Sequence, residues 1–151
     1  MAILAFVVWF QVARAADAVR LFVIVSASRP MTDISSADVR SIYLGDMTRW
    51  PNHRPILPIL LPLRSPAGKM FLRHVAGMAD VDYAQLWIGV VFRGEASSPP
   101  LVAATADQAA RFVAAHPDAM AIVSSPPSEK SVRVLTIDGK SPEAGDYPLR
   151  W

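Results

Sequence analysis

The sequence contains no cysteine, which excludes disulfide frameworks, thiolate zinc sites, iron–sulfur clusters and cysteine nucleophiles. Charge is sparse. Only 19% of residues are Asp, Glu, Lys or Arg, and the 15 basic residues so nearly match the 13 acidic ones that the formal net charge is +2. The arginines are scattered from Arg14 to Arg150 without a basic tract, so the footprint of a phosphodiester backbone is missing and no nucleic-acid partner is expected. His53, His74 and His116 stand too far apart for an i, i+4 pair on a helix, and no metal site is expected. The seven glycines form no Walker loop, no dinucleotide fingerprint and no Gly-x-Ser-x-Gly elbow. NTPase, dehydrogenase and hydrolase chemistries therefore lack their usual apparatus. Ser, His and Asp co-occur only as chance allows, so no enzyme is expected and no cofactor is implied.

What the chain does have is apolar residues, 52% of its 151, enough for one domain with a real core. Ala2 to Phe10 are uninterrupted apolar, and Ala13, Arg14 and Ala15 follow as an Ala-x-Ala pattern. A short apolar core ending at small residues is the secretory-signal design, whereas a bilayer span needs about 20 apolar residues. Residues 1–15 are expected to be a signal peptide, with an uncleaved anchor as the alternative because no basic residue precedes the run. The domain then comprises residues 16–151, in a periplasm or outside the cell.

Leu21 to Val25 is a short apolar run of the kind a strand buried on both faces shows. Ser35 is an N-cap with Asp38 in the capping-box position, Val39, Ile42 and Tyr43 share a helical face, and Gly45 is the stop. Ile56 to Leu63 is a second apolar run, for which Pro55, Pro58 and Pro62 predict an edge strand or a bulge. Ser65 and Pro66 open a helix carrying Met70, Phe71, His74 and Val75 as far as Gly77. Asp80 or Asp82 caps the next helix, in which Tyr83, Leu86, Trp87 and Val90 recur at helical spacing. Thr105 with Gln108 opens another, with Ala109, Phe112 and Val113 inward. Ala119 to Val123 and Val132 to Ile137 are the last strands. Trp50, Trp87 and Phe92 are expected in the core. Strands interleaved with helices make an α/β domain with a mixed, partly parallel sheet flanked by helices.

One segment carries chemistry. Arg64, Ser65 and the amides leading to Gly68 lie where a strand end feeds a helix N-terminus, a place with free N–H donors, a helix dipole, a hydroxyl and a bidentate cation for an oxyanion. Ser65 as a plain cap and Arg64 as a solvated charge account for the same residues, and on these residues alone that is the stronger account. Ser26, Ser28 and Arg29 after the first strand form a second cluster, and Thr105 marks a third helix start. In an open α/β sheet ligands gather at the carboxyl ends of strands, where the first two clusters are expected to meet.

The segment ISSADVRSIYLGDMTRWPNHRPILPI resembles small, single-lobe members of the phosphate ABC transporter substrate-binding protein family, in the type II periplasmic-binding-protein-like superfamily. Ile42, Tyr43, Leu44, Gly45, Trp50, Pro51 and Ile56 to Ile59 carry the likeness. Phe71, Trp87, Phe92, Gly94, Pro99, Pro100 and the segments HPDAMAIVSS and IDGKSPEAGDYPLRW extend it from about residue 19 to Trp151. The resemblance implies a single lobe of that fold, phosphate or a similar oxyanion as ligand, a membrane transporter or sensor protein as partner, and Arg64 and Ser65 as ligands. The family's full-length receptors hold the anion between two lobes; this chain supplies one wall, which two copies paired as a homodimer would complete. It departs from the family at Gly68, which no Thr follows, at Asp118 and Ala121, which replace glycines, and at Ile122, which replaces Tyr. These departures leave open an interaction module that has kept the fold and lost the ligand.

Overall fold

A computed structural model describes residues 18–151; the leader expected at residues 1–15 lies outside them. The chain runs β1 (Phe22–Ser26), β2 (Asp33–Ile34), α1 (Ser36–Leu44), β3 (Leu57–Leu60), α2 (Pro66–Phe71), a π-helical turn (Leu72–Ala76), α3 (Asp80–Phe92), β4 (Leu101–Val102), α4 (Ala106–Ala115), β5 (Ala119–Val123), β6 (Val132–Val134) and β7 (Thr136–Ile137). Five strands form one mixed sheet in the order β4-β3-β5-β1-β6, and β2 pairs with β7 beside it. β3 is parallel to β4 and β5, while β1 is antiparallel to both β5 and β6. The crossovers β3→β4 and β4→β5 travel in opposite directions along the sheet. Right-handed connections then set α2 and α3 on one face and α4 on the other. β1 and β5 are wholly buried, as continuous apolar runs between two helical layers must be.

Helix α1 starts and stops as its residues dictate. Ser35 Oγ accepts the Asp38 N–H at 3.0 Å, and Gly45 closes the helix at φ +81°. Tyr43 is fully buried, and its hydroxyl lies 3.1 Å from the carbonyls of both Ile59 and Met120, bridging β3 and β5. Its own carbonyl accepts from the Tyr83 hydroxyl at 2.6 Å and from the Trp87 indole at 3.0 Å. Phe71 sits edge-on between Tyr43 and Tyr83, with ring centroids 5.5 and 5.3 Å away. This aromatic knot ties α1, α2 and α3 to the sheet, and burial pushes the Tyr43 phenol well above its ordinary range.

Several expectations are corrected. β3 is no edge strand, because β4 covers its outer side. Leu57 N–H donates to the carbonyl of Asp118, just before β5, so the ring nitrogen of Pro58 faces the β4 side, where pairing begins only at Ile59. Pro58 thus forfeits no ladder bond. The helix from Pro66 to Gly77 widens after Phe71, since Gly77 N–H reaches back five residues to Leu72 O at 2.8 Å. Neither Asp80 nor Asp82 is the cap; Ala79 holds that position, and both carboxylates stand in the first turn, where they favour the helix dipole. The last apolar run splits at Leu135, whose N–H pairs with Val23 O, so that Val132–Val134 and Thr136–Ile137 serve two different sheets. Phe92 is 91% exposed. It lies two residues beyond buried Val90, about 200° round the helix.

Candidate functional site

The candidate residues do not gather at one end of the sheet. β3 and β5 run parallel, so Ser65 stands near Ser124 at the carboxyl ends of these strands, whereas Arg64 lines an adjoining open hollow with Leu63, Asp80, Val81 and Val102. β1 runs the other way, its Val25 opposite Met120, and this carries Ser26 and Ser28 to the amino end of β5. The expected meeting of the two clusters is therefore corrected: strand direction separates them.

At the carboxyl ends, a cleft of about 240 Å³ is walled by Ser65, Pro66 and Ala67 from α2, Thr105 and Ala106 from α4, and Ser124 after β5. Two helix N-termini thus face one hollow, with the positive ends of their dipoles inward. Ser65 Oγ donates to Pro62 O at 2.6 Å and accepts the Gly68 N–H at 3.1 Å. Lys69 N–H is taken by Ser65 O, and Pro66 has no N–H, so Ala67 holds the first-turn amide left for a ligand. Gly68 has a packing role besides: a Cβ there would lie 2.1 Å from Pro62 O and 2.5 Å from Leu63 Cα. Arg64 is exposed and belongs to none of the ion pairs among the described residues. Opposite, Thr105 caps α4 by accepting from Gln108 N–H at 3.1 Å, while Gln108 Oε1 accepts from Ala104 N–H at 2.7 Å. Ser124 joins the cleft without a helix-start pattern to announce it; the boundary between an apolar strand and a Ser-Pro segment is its signal in the sequence.

At the other end, Ser26 Oγ and Ser28 Oγ share a hydrogen bond of 2.8 Å that closes the turn after β1. Arg29 and Arg54 both grip Asp118, at 3.1 Å to Oδ1 and 2.6 Å to Oδ2. The Arg29 guanidinium lies 4.1 Å above the buried Trp50 ring, whose indole donates to Asp118 O. Burial lowers the Arg29 pKa, and the Asp118 carboxylate opposes that. The network went unread in the sequence, although a carboxylate in place of a glycine was a pointer to cations across the fold. Ser26 and Ser28 are bonded to each other and Asp118 is held between two arginines, and Ser28, Arg29, Arg54 and Asp118 line an open hollow of about 310 Å³ at this end. Among the described residues, no group of three or more His, Asp or Glu could hold a metal ion.

No family model and no curated protein matches the chain. Solved structures do. A Clostridium perfringens protein described as a phosphate ABC transporter substrate-binding protein, solved with phosphate bound, is 17% identical with a TM-score of 0.65, over 83% of this chain and 47% of that one. An ABC-type phosphate transport receptor of Vibrio cholerae is 17% identical with a TM-score of 0.65, and PstS of Borrelia burgdorferi is 13% identical with a TM-score of 0.67, each over 89% of this chain and 55% of the other. The chain spans about half the length of these proteins. At such identities the likeness establishes the fold: a mixed α/β lobe like those of phosphate-binding transport receptors.

Proposed function

We propose that the chain is a non-catalytic solute-binding domain outside the cytoplasm, taking phosphate or a similar small oxyanion in the context of phosphate uptake or sensing. The observation that carries the proposal is the cleft at the carboxyl ends of β3 and β5, where the α2 and α4 N-termini converge, with Arg64 in the adjoining hollow immediately before Ser65 in the chain. Arg64 supplies a charge-assisted contact, the Ala67 amide a backbone donor, and Ser124 a hydroxyl. Ser65 and Gly68 hold the cradle's shape through their own hydrogen bond. The likeness to phosphate-binding receptors supports the ligand class, and the half-length match supports a second wall supplied from elsewhere, by another copy or by a transporter or sensor chain.

The test is thermal unfolding of the whole chain with phosphate, sulfate, molybdate and small carboxylates at fixed ionic strength. A ligand at 100 times its dissociation constant adds about 2.7 kcal/mol, several degrees in the midpoint. The expected result is a shift with a tetrahedral oxyanion that Arg64→Ala removes without unfolding the domain. An undiminished shift in the variant overturns the site. A ligand-free module that binds a protein partner at the cell envelope has one observation in its favour: the Ser65 hydroxyl and the Gly68 amide are already spent on each other. No shift with any anion, together with co-purification of a partner, would establish that module instead.

A further inference from the structure

A hollow at the end of the sheet opposite Arg64 comes from a mismatch in strand length. β3 begins at Leu57 but β4 only at Leu101, paired to Ile59, so Leu57 and Pro58 have no neighbour on that side. The notch left there is about 370 Å³, roofed by the loop from Gly94 to Pro99. That is more than twice the roughly 150 Å³ of a dry cavity that holds benzene, and it falls within the usual range of ligand sites.

Its walls are chemically divided. The floor is apolar, formed by Ile42, Ile56 and Trp87, each at most 7% exposed. The rim is polar, with Thr48, Ser97 and Ser98. Two charged residues, Arg49 and Glu95, line the hollow. Glu95 is spent on Arg93, held by two hydrogen bonds of 2.7 and 3.1 Å. Arg49 belongs to none of the ion pairs among the described residues, and its Nη1 is pinned to His53 O at 2.9 Å, which holds the guanidinium beside the hollow. An apolar floor under one uncompensated cation fits a ligand with an apolar body and a single anionic head.

The geometry points to a second ligand site at the amino ends of β3 and β4, taking a small amphiphilic monocarboxylate whose alkyl or aryl body lies on Trp87 and Ile42 and whose carboxylate meets Arg49. It is independent of the oxyanion cradle at the other end. The test is titration of the whole chain with butanoate, hexanoate, octanoate and 3-phenylpropanoate, and with hexanamide as the uncharged comparator, read by tryptophan fluorescence and thermal unfolding. Affinity is expected to rise by up to about fourfold per added methylene. Hexanamide is expected to bind at least tenfold more weakly than hexanoate, and Arg49→Gln to lower hexanoate affinity at least tenfold. Ser98→Trp, which fills the notch from an exposed loop position, is expected to abolish binding, whereas Arg64→Ala and added phosphate leave it unchanged. No saturable signal with any carboxylate overturns the site, as does binding that survives both Arg49→Gln and Ser98→Trp. Failure here leaves the Arg64 cradle standing, because only phosphate binding reads that.

Discussion

Gly68→Ala separates packing from propensity by the sign of its effect. Inside a helix, replacing Gly by Ala normally stabilises by up to about 1 kcal/mol. Here the new methyl would start 2.1 Å from Pro62 O and 2.5 Å from Leu63 Cα, both backbone atoms that no rotamer change can move aside. The helix start must retreat by nearly an ångström, and that strains the two Ser65 bonds, to Pro62 O and from Gly68 N–H, that staple it to the preceding loop. Overpacking at about 1–3 kcal/mol and the loss of two hydrogen bonds at about 1 kcal/mol each outweigh the propensity gain. A net loss of about 3 kcal/mol follows, or roughly 6–12 °C in Tm for a chain of this size. Gly89→Ala is the built-in control: it lies mid-helix in α3, and its Cβ would meet only the flexible end of Arg93 at 3.1 Å. Calorimetry or urea titration of both variants is the assay. Gly68→Ala with a Tm equal to or above the parent's would refute the close approach of α2 to the β3 end.

Asp118→Ala should cost about 2 kcal/mol, since it strands Arg29, whose side chain is 12% accessible, while the more exposed Arg54 rehydrates; a change below 0.5 kcal/mol in urea unfolding would show the pairing to be idle. Ser65→Ala should cost about 1 kcal/mol as a lost cap, and isothermal titration should find phosphate affinity nearly unchanged, because the hydroxyl is turned to Pro62. Phe92→Ser should stay within about 0.5 kcal/mol despite removing an aromatic ring, since that ring is solvated. The Asp138 carboxyl is held below its ordinary range by hydrogen bonds from Ser36, first of all, and then by Lys140. Its folded pKa is therefore under its unfolded one, so its contribution is present above the unfolded value and fades as pH falls through the folded one. Asp138→Asn should flatten the acid limb of a stability–pH curve below about pH 4, and an unaltered limb would exclude the contact.

Local chemistry was legible from residues alone where it is decided within a few positions. Ser35, Gly45 and Thr105 end or begin helices through bonds to neighbours three or four residues away, and the apolar run at Ala119–Val123 lies in the sheet interior as its hydropathy requires. Pro58 misled because a proline reports only that one N–H is missing, not which flank of the strand is vacant. Phe92 misled through its chemistry; its angular position on α3, had it been followed from Val90, gave the right face. The candidate site was half legible. Arg64, Ser65 and Thr105 were within reach because each announces a helix start, but the direction of β1 is a property of the whole sheet. No local pattern distinguishes a parallel buried strand from an antiparallel one, and that direction sends Ser26 and Ser28 to the far end. Asp118 with its two arginines spans residues 29 to 118, a separation at which pairing leaves no periodic trace.

The place of β1 also sets an order of events during synthesis. This buried strand, FVIVS, apolar up to Ser26, is flanked on one side by β5 and on the other by β6, with Phe22 opposite Val123 and Ile24 opposite Val134. About a hundred residues must leave the ribosome before either flank exists, which at 5–20 residues per second is roughly 5–20 seconds. Throughout that interval the nascent chain carries an unpaired β-prone segment that can zip to any open edge it meets. The strand that ends up among the best-protected parts of the molecule is an exposed liability while the chain is being made, and it is Leu21 to Val25 that must be kept from pairing elsewhere until β5 arrives.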